Sequence, residues 1–469
     1  MVDFLGILVS AAPFAVAAVG MVGLGWPAFW AGGASLAAAV LGALVWPELE
    51  AAAVPGALLG GLGTSAQVLY VLFGGLLLYN VLSAGGAVGA VSGFLGRLEP
   101  DAVALAAGVV VGVAPFFESV TGFGVAVVIS APILLAAGFT PPRAAVLASW
   151  GQCAVPWGAL GVGTVIGAHL AEMGFGTLSD ASAFLSLPLF LVYGVAGVAL
   201  SGGWSGVRQR GAEATVLGLV AGSGTLLTSL YLVPELSGAI GGLAATAVFL
   251  ARRRHRLSGI PVRALLPYAF LLALLAGANG IEALRSVLER LGPVFDGPGL
   301  PLLLSGVFAA LLLGLGEDEV GAATRRTVAQ WLPTAGAVLT FVLAGEVVAG
   351  SGAAGLLAGG AEALGVFFPA VSPVLAALGG ALTGSNAASN ALFMPLQVEA
   401  ARGLGLSEVL TAAVQNVAGS HASMLAPQRL VLAATATGLL GREGEILRTA
   451  LTPVGVSIGL LAIFGMLLH

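Results

Sequence analysis

Long apolar stretches alternate with short polar segments along the whole chain. Most of the apolar stretches are about 17 to 25 residues long, which is the length that one helix needs to cross a bilayer. Spans are predicted at residues 4–22, 26–46, 60–82, 102–118, 142–170, 182–200, 212–232, 237–251, 264–279, 298–315, 327–349, 367–382, 407–425 and 449–467. The pattern predicts an all-α polytopic membrane protein with about 12 to 14 transmembrane helices.

Glycine-rich polar runs interrupt this pattern at residues 118–124 and 383–390. Backbone N–H and C=O groups without helical partners cost several kcal/mol each in lipid, so such chain must line a protein-enclosed or watery cavity. After each run come a short apolar segment with a proline, a glycine-led turn and an alanine-rich helix that carries amides. This order predicts two inverted repeats, each with a broken helix or re-entrant hairpin, as in many secondary transporters.

The repeats define the expected organisation of a single integral membrane domain. The domain comprises residues 1–469. Repeat 1 is expected at 58–200, with a polar break at 118–138, and repeat 2 at 320–467, with a polar break at 383–405. Residues 201–300 form connecting spans, with an arginine loop at 252–263. Arginines collect in loops that are two spans apart. The positive-inside rule therefore places those loops in the cytoplasm.

Composition narrows the class of protein. Hydrophobic residues make up 58% of the chain and charged residues 8%, whereas soluble domains have about 25% charged residues. The net charge of −5 is spread over short loops, so no polybasic surface for nucleic acid is expected. The histidines and Cys153 lack the spacing of metal ligands or of a nucleophile with its base, so we expect no metal, no cofactor and no enzyme active site. A channel would need a continuous polar stripe along several helices, whereas the polar residues here are confined to two depths. The pattern therefore favours a carrier in the lipid of the cell membrane.

The candidate substrate-binding residues share a backbone N–H freed at a helix break, or a side chain that donates and accepts hydrogen bonds. They are Thr121, Gly122, Gly124, Thr383, Gly384, Ser385, Asn386, Ser389, Asn390, Gln415, Asn416, Gln428 and Arg429. The positive ends of broken helices would replace the water that a small carboxylate loses at the bilayer midplane. The alternative for the polar side chains of the second break is helix-to-helix contact.

Two titratable residues are candidates for proton coupling. Glu118 is a carboxylate inside a span, and an intramembrane ionisable group indicates function by default; the alternative is a helix end that faces water. His421 titrates near neutral pH in its ordinary state, and its alternative role is structural. Arg429 lies in apolar surroundings, so we expect it to pair with a carboxylate such as Glu118 or with substrate. Glu346 is expected near the membrane surface.

Residues 115–158 and 380–430 resemble the L-lactate permease family. The motifs that carry the resemblance are Glu118 before Gly122-Phe-Gly124, the turn Gly138-Phe-Thr-Pro141, the run Thr383-Gly-Ser-Asn-Ala-Ala-Ser-Asn-Ala-Leu-Phe393, the segment Met424-Leu-Ala-Pro-Gln428 and the turn Gly438-Leu-Leu-Gly-Arg-Glu443. The chain departs from the family pattern in the run Trp150-Gly-Gln-Cys-Ala-Val-Pro156, where the proline is displaced, and at two single positions. Ser423 stands where the family usually has a lysine, and Arg429 stands where it has a small residue.

The resemblance implies a secondary active transporter that imports small 2-hydroxy monocarboxylates, such as lactate or glycolate, by proton symport. The alternative is a sodium-coupled or proton-coupled carrier of a different small organic anion, because unwound carbonyls and hydroxyl oxygens also coordinate Na⁺. By analogy with other inverted-repeat carriers, a transport unit would move against a scaffold in an elevator-like way, on a homodimer.

Overall fold

A computed structural model describes residues 4–122, 124–282, 286, 290 and 297–468. Phe123 of the first break and part of the connecting spans, at 283–285, 287–289 and 291–296, lie outside the described residues. All regular elements in the described ranges are helical. Their bounds are Phe4–Ala18, Val19–Gly23, Ala28–Val45, Ala51–Ala53, Val54–Ala84, Ala87–Leu98, Ala102–Gly108, Val109–Val113, Ala114–Thr121, Val125–Ala136, Pro141–Ser149, Trp150–Trp157, Gly158–Leu170, Phe175–Tyr231, Pro234–Leu236, Ser237–Ala251, Arg254–Arg256, Val262–Gly280, Gly299–Leu313, Glu317–Gly350, Ala353–Ala361, Glu362–Phe367, Phe368–Thr383, Asn386–Gly403, Glu408–Ala422, Ser423–Leu425, Pro427–Thr437 and Glu443–Leu468.

The prediction of an all-α polytopic membrane protein is confirmed. Among the described residues, 10 helices are long and apolar enough to cross a membrane, and several apolar helices are shorter. One of the 10, Phe175–Tyr231, has 57 residues and bends sharply at Gly203 (φ 61°, ψ −155°). Its halves fold back on each other, since Gly194 packs against Ala214. This helix therefore accounts for the two predicted spans 182–200 and 212–232, with a kink in place of the expected loop.

The first polar break forms the tip of a helical hairpin, called the first hairpin, with arms Ala102–Thr121 and Val125–Ala136. The arms pack against each other. At the tip, Gly122 (φ 68°) and Gly124 (φ 77°) adopt conformations that L side chains rarely take, and glycine adopts them without steric cost. The glycines of the polar run therefore end one helix and start the next.

The second polar break forms the tip of a second hairpin, with arms Phe368–Thr383 and Asn386–Gly403. Polar contacts join its arms: Ser389 Oγ donates to the carbonyl of Ala376 at 3.3 Å, and Ser372 Oγ donates to Gln397 Oε1 at 2.5 Å. Gly384 turns the chain at φ 61°. Ser385 then caps the second arm by accepting a hydrogen bond from Ala388 N–H at 3.4 Å.

A broken helix follows each hairpin. In the first broken helix, Pro141–Leu170, the residues Trp150–Trp157 form a 3₁₀ segment. Ala159 and Leu160 then take positive φ angles of 49° and 58°. The second broken helix, residues 408–437, is interrupted by the 3₁₀ turn Ser423–Leu425. In each half of the chain, the polar run predicts one helix break, at the hairpin tip. The broken helix that follows the hairpin adds a second break.

Two long helices, Val54–Ala84 and Glu317–Gly350, precede the hairpins in the two halves. They run antiparallel, because Asn80 Nδ2 donates to Thr327 Oγ1 at 3.1 Å near one end, while Gly61 packs against Glu346 near the other. Corresponding helices with opposite directions are what two inverted repeats require. The antiparallel pair is the arrangement that an inverted repeat would produce, and the repeat itself stays a prediction.

Ion pairs, of which those of Arg253 are buried, connect the start of the first hairpin to the arginine-rich side. Arg253 is 5% exposed; it binds Glu99 and, at 2.8 Å, Glu213. Arg210 pairs with Asp101 at 2.5 Å. Burial disfavours the charge of Asp101, but hydrogen bonds from Ala104 N–H and Arg210 outweigh burial and hold the pKa of this carboxyl below its ordinary value. The arginines expected to orient the chain therefore also bind carboxylates.

Candidate substrate-binding site

The two hairpin tips and both broken helices meet at a small cavity of about 50 Å³. Its lining residues are Leu72, Glu118, Gly122, Val155, Gly158, Ala159, Val162, Gly163, Thr334, Val338, Ser385, Asn386, Ala387 and Arg429. The cavity is thus bounded by irregular backbone from both halves and by the two long helices. This is the setting in which non-helical chain is tolerated at membrane depth.

Glu118 is 1% exposed and lies at the end of the first arm of the first hairpin. Its Oε1 accepts hydrogen bonds from Gly124 N–H at 3.1 Å and from Gln152 Nε2 at 3.5 Å. Ser423 Oγ donates in turn to Gln152 Oε1 at 3.2 Å. The second carboxylate oxygen, Oε2, is buried, and no side chain of the described residues donates a hydrogen bond to it. The side-chain donor to Glu118 therefore binds Oε1.

Arg429 approaches Glu118 from the second broken helix. Its Nη1 lies 3.9 Å from Glu118 Oε1, and its Nε donates to the carbonyl oxygen of Gly384 at 3.0 Å. A Cβ at Gly124 would lie 2.9 Å from Nη1, so the glycine leaves room for the guanidinium. The prediction that Arg429 pairs with Glu118 is confirmed. The pair is long, and the guanidinium retains N–H groups for a further carboxylate.

Asn416 connects the second hairpin to the first broken helix. Its Oδ1 accepts from Asn386 Nδ2 at 2.8 Å and from Asn390 Nδ2 at 2.9 Å. Its Nδ2 donates to Thr164 Oγ1 and to Ser182 Oγ, both at 2.9 Å. The amide of Asn416 is thereby satisfied on both sides. Asn416 therefore holds other residues in place, and the predicted direct contact with substrate stays a prediction.

The candidate substrate-binding residues fall into three groups. Gly122, Ser385, Asn386 and Arg429 line the small cavity, together with Glu118. Thr383, Gly384 and Gln428 line a larger cavity of about 640 Å³, which shares Thr334, Val338, Ser385 and Arg429 with the small one. Thr121, Gly124, Ser389, Asn390, Gln415 and Asn416 are absent from both linings. The third group supports the tips, as when Gln415 Nε2 donates to Ser389 Oγ at 3.2 Å.

His421 lies apart from the small cavity. It is fully buried; its Nδ1 lies 2.5 Å from Ser457 Oγ, and its ring packs edge-on against Tyr193. A role in proton coupling stays a prediction for His421, with no contact to Glu118 among its described partners. Glu346 pairs with His169 at 2.8 Å, which joins the first broken helix to a long helix outside the cavity.

Sequence reasoning missed two parts of the lining. The segment from Val155 to Gly163 was expected to be regular helix, although Pro156 and the closely spaced glycines at 158, 161 and 163 were a usable signal. Thr334 was overlooked as well. It follows Pro333 inside a long helix, where proline removes a backbone hydrogen bond.

The family model described as L-lactate permease matches residues 6–256 and 289–469. Related proteins include the L-lactate permease of Salmonella typhimurium, 27% identical over 404 residues, covering 71% of this chain and 72% of that protein. The glycolate permease GlcA of Escherichia coli K12 is 28% identical over 412 residues, with the same coverage. The structure of the Alcanivorax borkumensis YdaH transporter aligns with a TM-score of 0.42 and 20% identity, covering 87% of this chain and 86% of that one. Because the family model spans nearly the whole sequence, this multi-pass protein of the cell membrane belongs to the L-lactate permease family.

Proposed function

We propose that the protein is a secondary active transporter that imports small 2-hydroxy monocarboxylates, such as lactate or glycolate, together with a proton. One observation carries the proposal: Glu118 and Arg429 face a cavity formed by both hairpin tips. Membership of a permease family and the similarity to lactate and glycolate permeases support the substrate class.

The carboxylate of the substrate would bind between Arg429 and the start of the second arm of the second hairpin. The first N–H groups of a helix have no intrahelical acceptor and carry partial positive charge. Ser385 satisfies one of them, at Ala388, and the cavity is lined by the preceding residues Asn386 and Ala387. Their N–H groups and the guanidinium together suit a small anion.

Glu118 would carry the coupled proton. No side chain among the described residues donates to its Oε2, and Glu118 is a lining residue of the cavity, so a proton on this oxygen would be donated to a bound carboxylate. A monoanion and one proton together add no net charge to the site. The cost of moving an isolated charge through the membrane is thereby avoided.

Alternating access would move the two hairpins with their broken helices against a scaffold that includes the long helices. The tip of the first hairpin touches the first long helix, where a Cβ at Gly75 would lie 3.2 Å from the carbonyl oxygen of Thr121. Small residues at such a contact allow close sliding surfaces. An elevator-like motion on a homodimer is our proposal for this movement.

The rival coupling ion, Na⁺, would need free oxygen ligands at the tips. The carbonyl of Thr383 accepts a hydrogen bond from Gln428 Nε2, and that of Gly384 accepts from Arg429 Nε. A guanidinium beside these oxygens also repels a second cation. This arrangement favours the proton over sodium at the second hairpin tip.

Purified protein in liposomes would test the proposal. Uptake of labelled L-lactate would be measured with a pH step that drives protons inward and, separately, with an inward sodium gradient. Liposomes without either gradient serve as the control. We expect accumulation with the pH step alone. No response to the pH step, or accumulation with sodium alone, would refute proton symport; saturable counterflow of labelled lactate would separate a carrier from a channel.

A further inference from the structure

We infer that Asn386 is the specificity-determining residue for the 2-hydroxyl group of the substrate, through its side-chain oxygen Oδ1. The inference rests on the proposed function and deepens it. It follows from a buried acceptor: Asn386 is 4% exposed, no described residue donates a hydrogen bond to its Oδ1, and Asn386 is a lining residue of the small cavity. A buried amide oxygen left unpaired is costly, so its retention beside a cavity indicates a ligand.

The orientation of the Asn386 amide is set by its neighbours. Asn390 Nδ2 donates to the carbonyl oxygen of Gly163 at 2.9 Å, and a carbonyl oxygen only accepts. The same Nδ2 lies 2.9 Å from the side chain of Asn416, which must therefore present its oxygen there. That oxygen in turn requires a donor from Asn386, and Nδ2 supplies it at 2.8 Å. Oδ1 of Asn386 is consequently the atom left for a ligand.

The position of Arg429 tells which part of the ligand this oxygen meets. The guanidinium of Arg429 donates a hydrogen bond to the carbonyl oxygen of Gly384. Gly384 lies two residues before Asn386 in the same hairpin tip. A carboxylate bound to Arg429 places its C2 substituent one bond farther into the cavity. A hydroxyl on C2 donates to Oδ1, whereas a 2-oxo oxygen only accepts and an unsubstituted C2 offers no polar hydrogen.

Acids of similar size should therefore differ in affinity according to the substituent on C2. Glycolate should bind more tightly than glyoxylate or acetate, and L-lactate more tightly than pyruvate or propionate. A site built to hydrogen-bond a hydroxyl rejects analogues that lack it, because its buried acceptor is left unpaired. We expect the 2-hydroxy acid to be favoured by roughly tenfold or more.

The test is competition against counterflow of labelled L-lactate in liposomes, with unlabelled glycolate, glyoxylate and acetate as probes. In the Asn386→Leu variant we expect the preference for glycolate to fall to within about twofold, because leucine offers no acceptor. Asn80→Leu is the matched control. Asn80 is also 4% exposed, and it donates to Thr327 and Gln330, but it lines neither cavity. Its preference for glycolate should match that of the unaltered protein.

Asn386→Ala serves as a second variant where leucine prevents folding, and thermal stability in detergent identifies that case. Equal competition by acetate and glycolate in the unaltered protein would overturn the inference. A preference that persists in both Asn386 variants, or one that Asn80→Leu abolishes to the same extent, would also overturn it. These outcomes require a working lactate carrier, whereas absence of any hydroxy-acid counterflow would refute the proposed function itself.

Discussion

Replacing Arg429 by glutamine removes the cation that faces both Glu118 and the proposed substrate carboxylate. At the observed separation of 3.9 Å, unit charges interact by about 4 kcal/mol at an effective dielectric constant of about 20. Charge-assisted hydrogen bonds contribute about 1.5–3 kcal/mol each. Loss of one such bond to the substrate would raise the KM for L-lactate by roughly 10- to 150-fold. Arg429→Lys keeps the charge but loses the planar fork, so its KM should lie between those of the unaltered protein and Arg429→Gln.

The assay is initial uptake of L-lactate into liposomes under a fixed pH step, with reconstituted protein quantified for each variant. Arg442→Gln is the matched control, because Arg442 pairs with Glu445 at the surface and lines neither cavity. An Arg429→Gln variant that folds and transports with the KM of the unaltered protein would refute the reasoning.

A double substitution separates the two duties of Arg429. In Glu118→Gln with Arg429→Gln, the buried carboxylate and its cation are both removed, so most of the stability lost in Arg429→Gln alone should return. The thermal midpoint in detergent reports this recovery. The KM, measured by counterflow of labelled lactate because counterflow needs no coupled proton, should not recover, since the double variant still lacks the cation for the substrate. Recovery of both quantities would show that Arg429 serves only Glu118.

Three further predictions concern coupling, support and movement. Glu118→Gln should abolish lactate accumulation driven by a pH step while counterflow continues, because exchange of bound substrate needs no net proton movement; accumulation at the rate of the unaltered protein would contradict this role. Asn416→Leu removes buried hydrogen bonds to Asn386, Asn390, Thr164 and Ser182. Each contributes about 0.6 kcal/mol on average in a membrane protein, so the thermal midpoint in detergent should fall. An unchanged midpoint would contradict the supporting role of Asn416. His169→Cys with Glu346→Cys replaces a pair that joins the two helices. Cross-linking these cysteines with a reducible bifunctional thiol reagent should stop uptake, and reduction should restore it. Uptake by the cross-linked protein would exclude movement between these helices.

The two hairpin tips were predictable from the sequence because polar and glycine residues stand out in an apolar chain. Glu118 and the run beginning at Thr383 could be assigned to helix breaks by the cost of unpaired backbone in lipid alone. The pairing of Arg429 with Glu118 followed from the same reasoning applied to charge. These positions are recognisable from the sequence because an unpaired backbone group or an unpaired charge costs free energy in lipid.

The breaks in the two broken helices were hidden for the opposite reason. Residues 150–157 contain Gln152 as their polar side chain among apolar neighbours, so hydropathy describes them as ordinary helix. The bond between Asn416 and Thr164 joins positions 252 residues apart, and its existence depends on tertiary packing. The sequence therefore identifies polar residues of the site, whereas tertiary packing decides which of them line the cavity and which hold the hairpin tips in place.

The Glu118–Arg429 pair has a consequence for how the carrier responds to membrane voltage. An ionised pair at one depth adds no net charge to the empty binding site, and in the proposed cycle the loaded site gains one anion and one proton. Each elementary charge moved across 100 mV changes in energy by about 2.3 kcal/mol, but neither half of this cycle moves a net charge. The resting potential of a cell would then neither drive nor oppose uptake. Accumulation would follow the proton concentration difference alone, and a cell could take up lactate at the same rate when its membrane is depolarised.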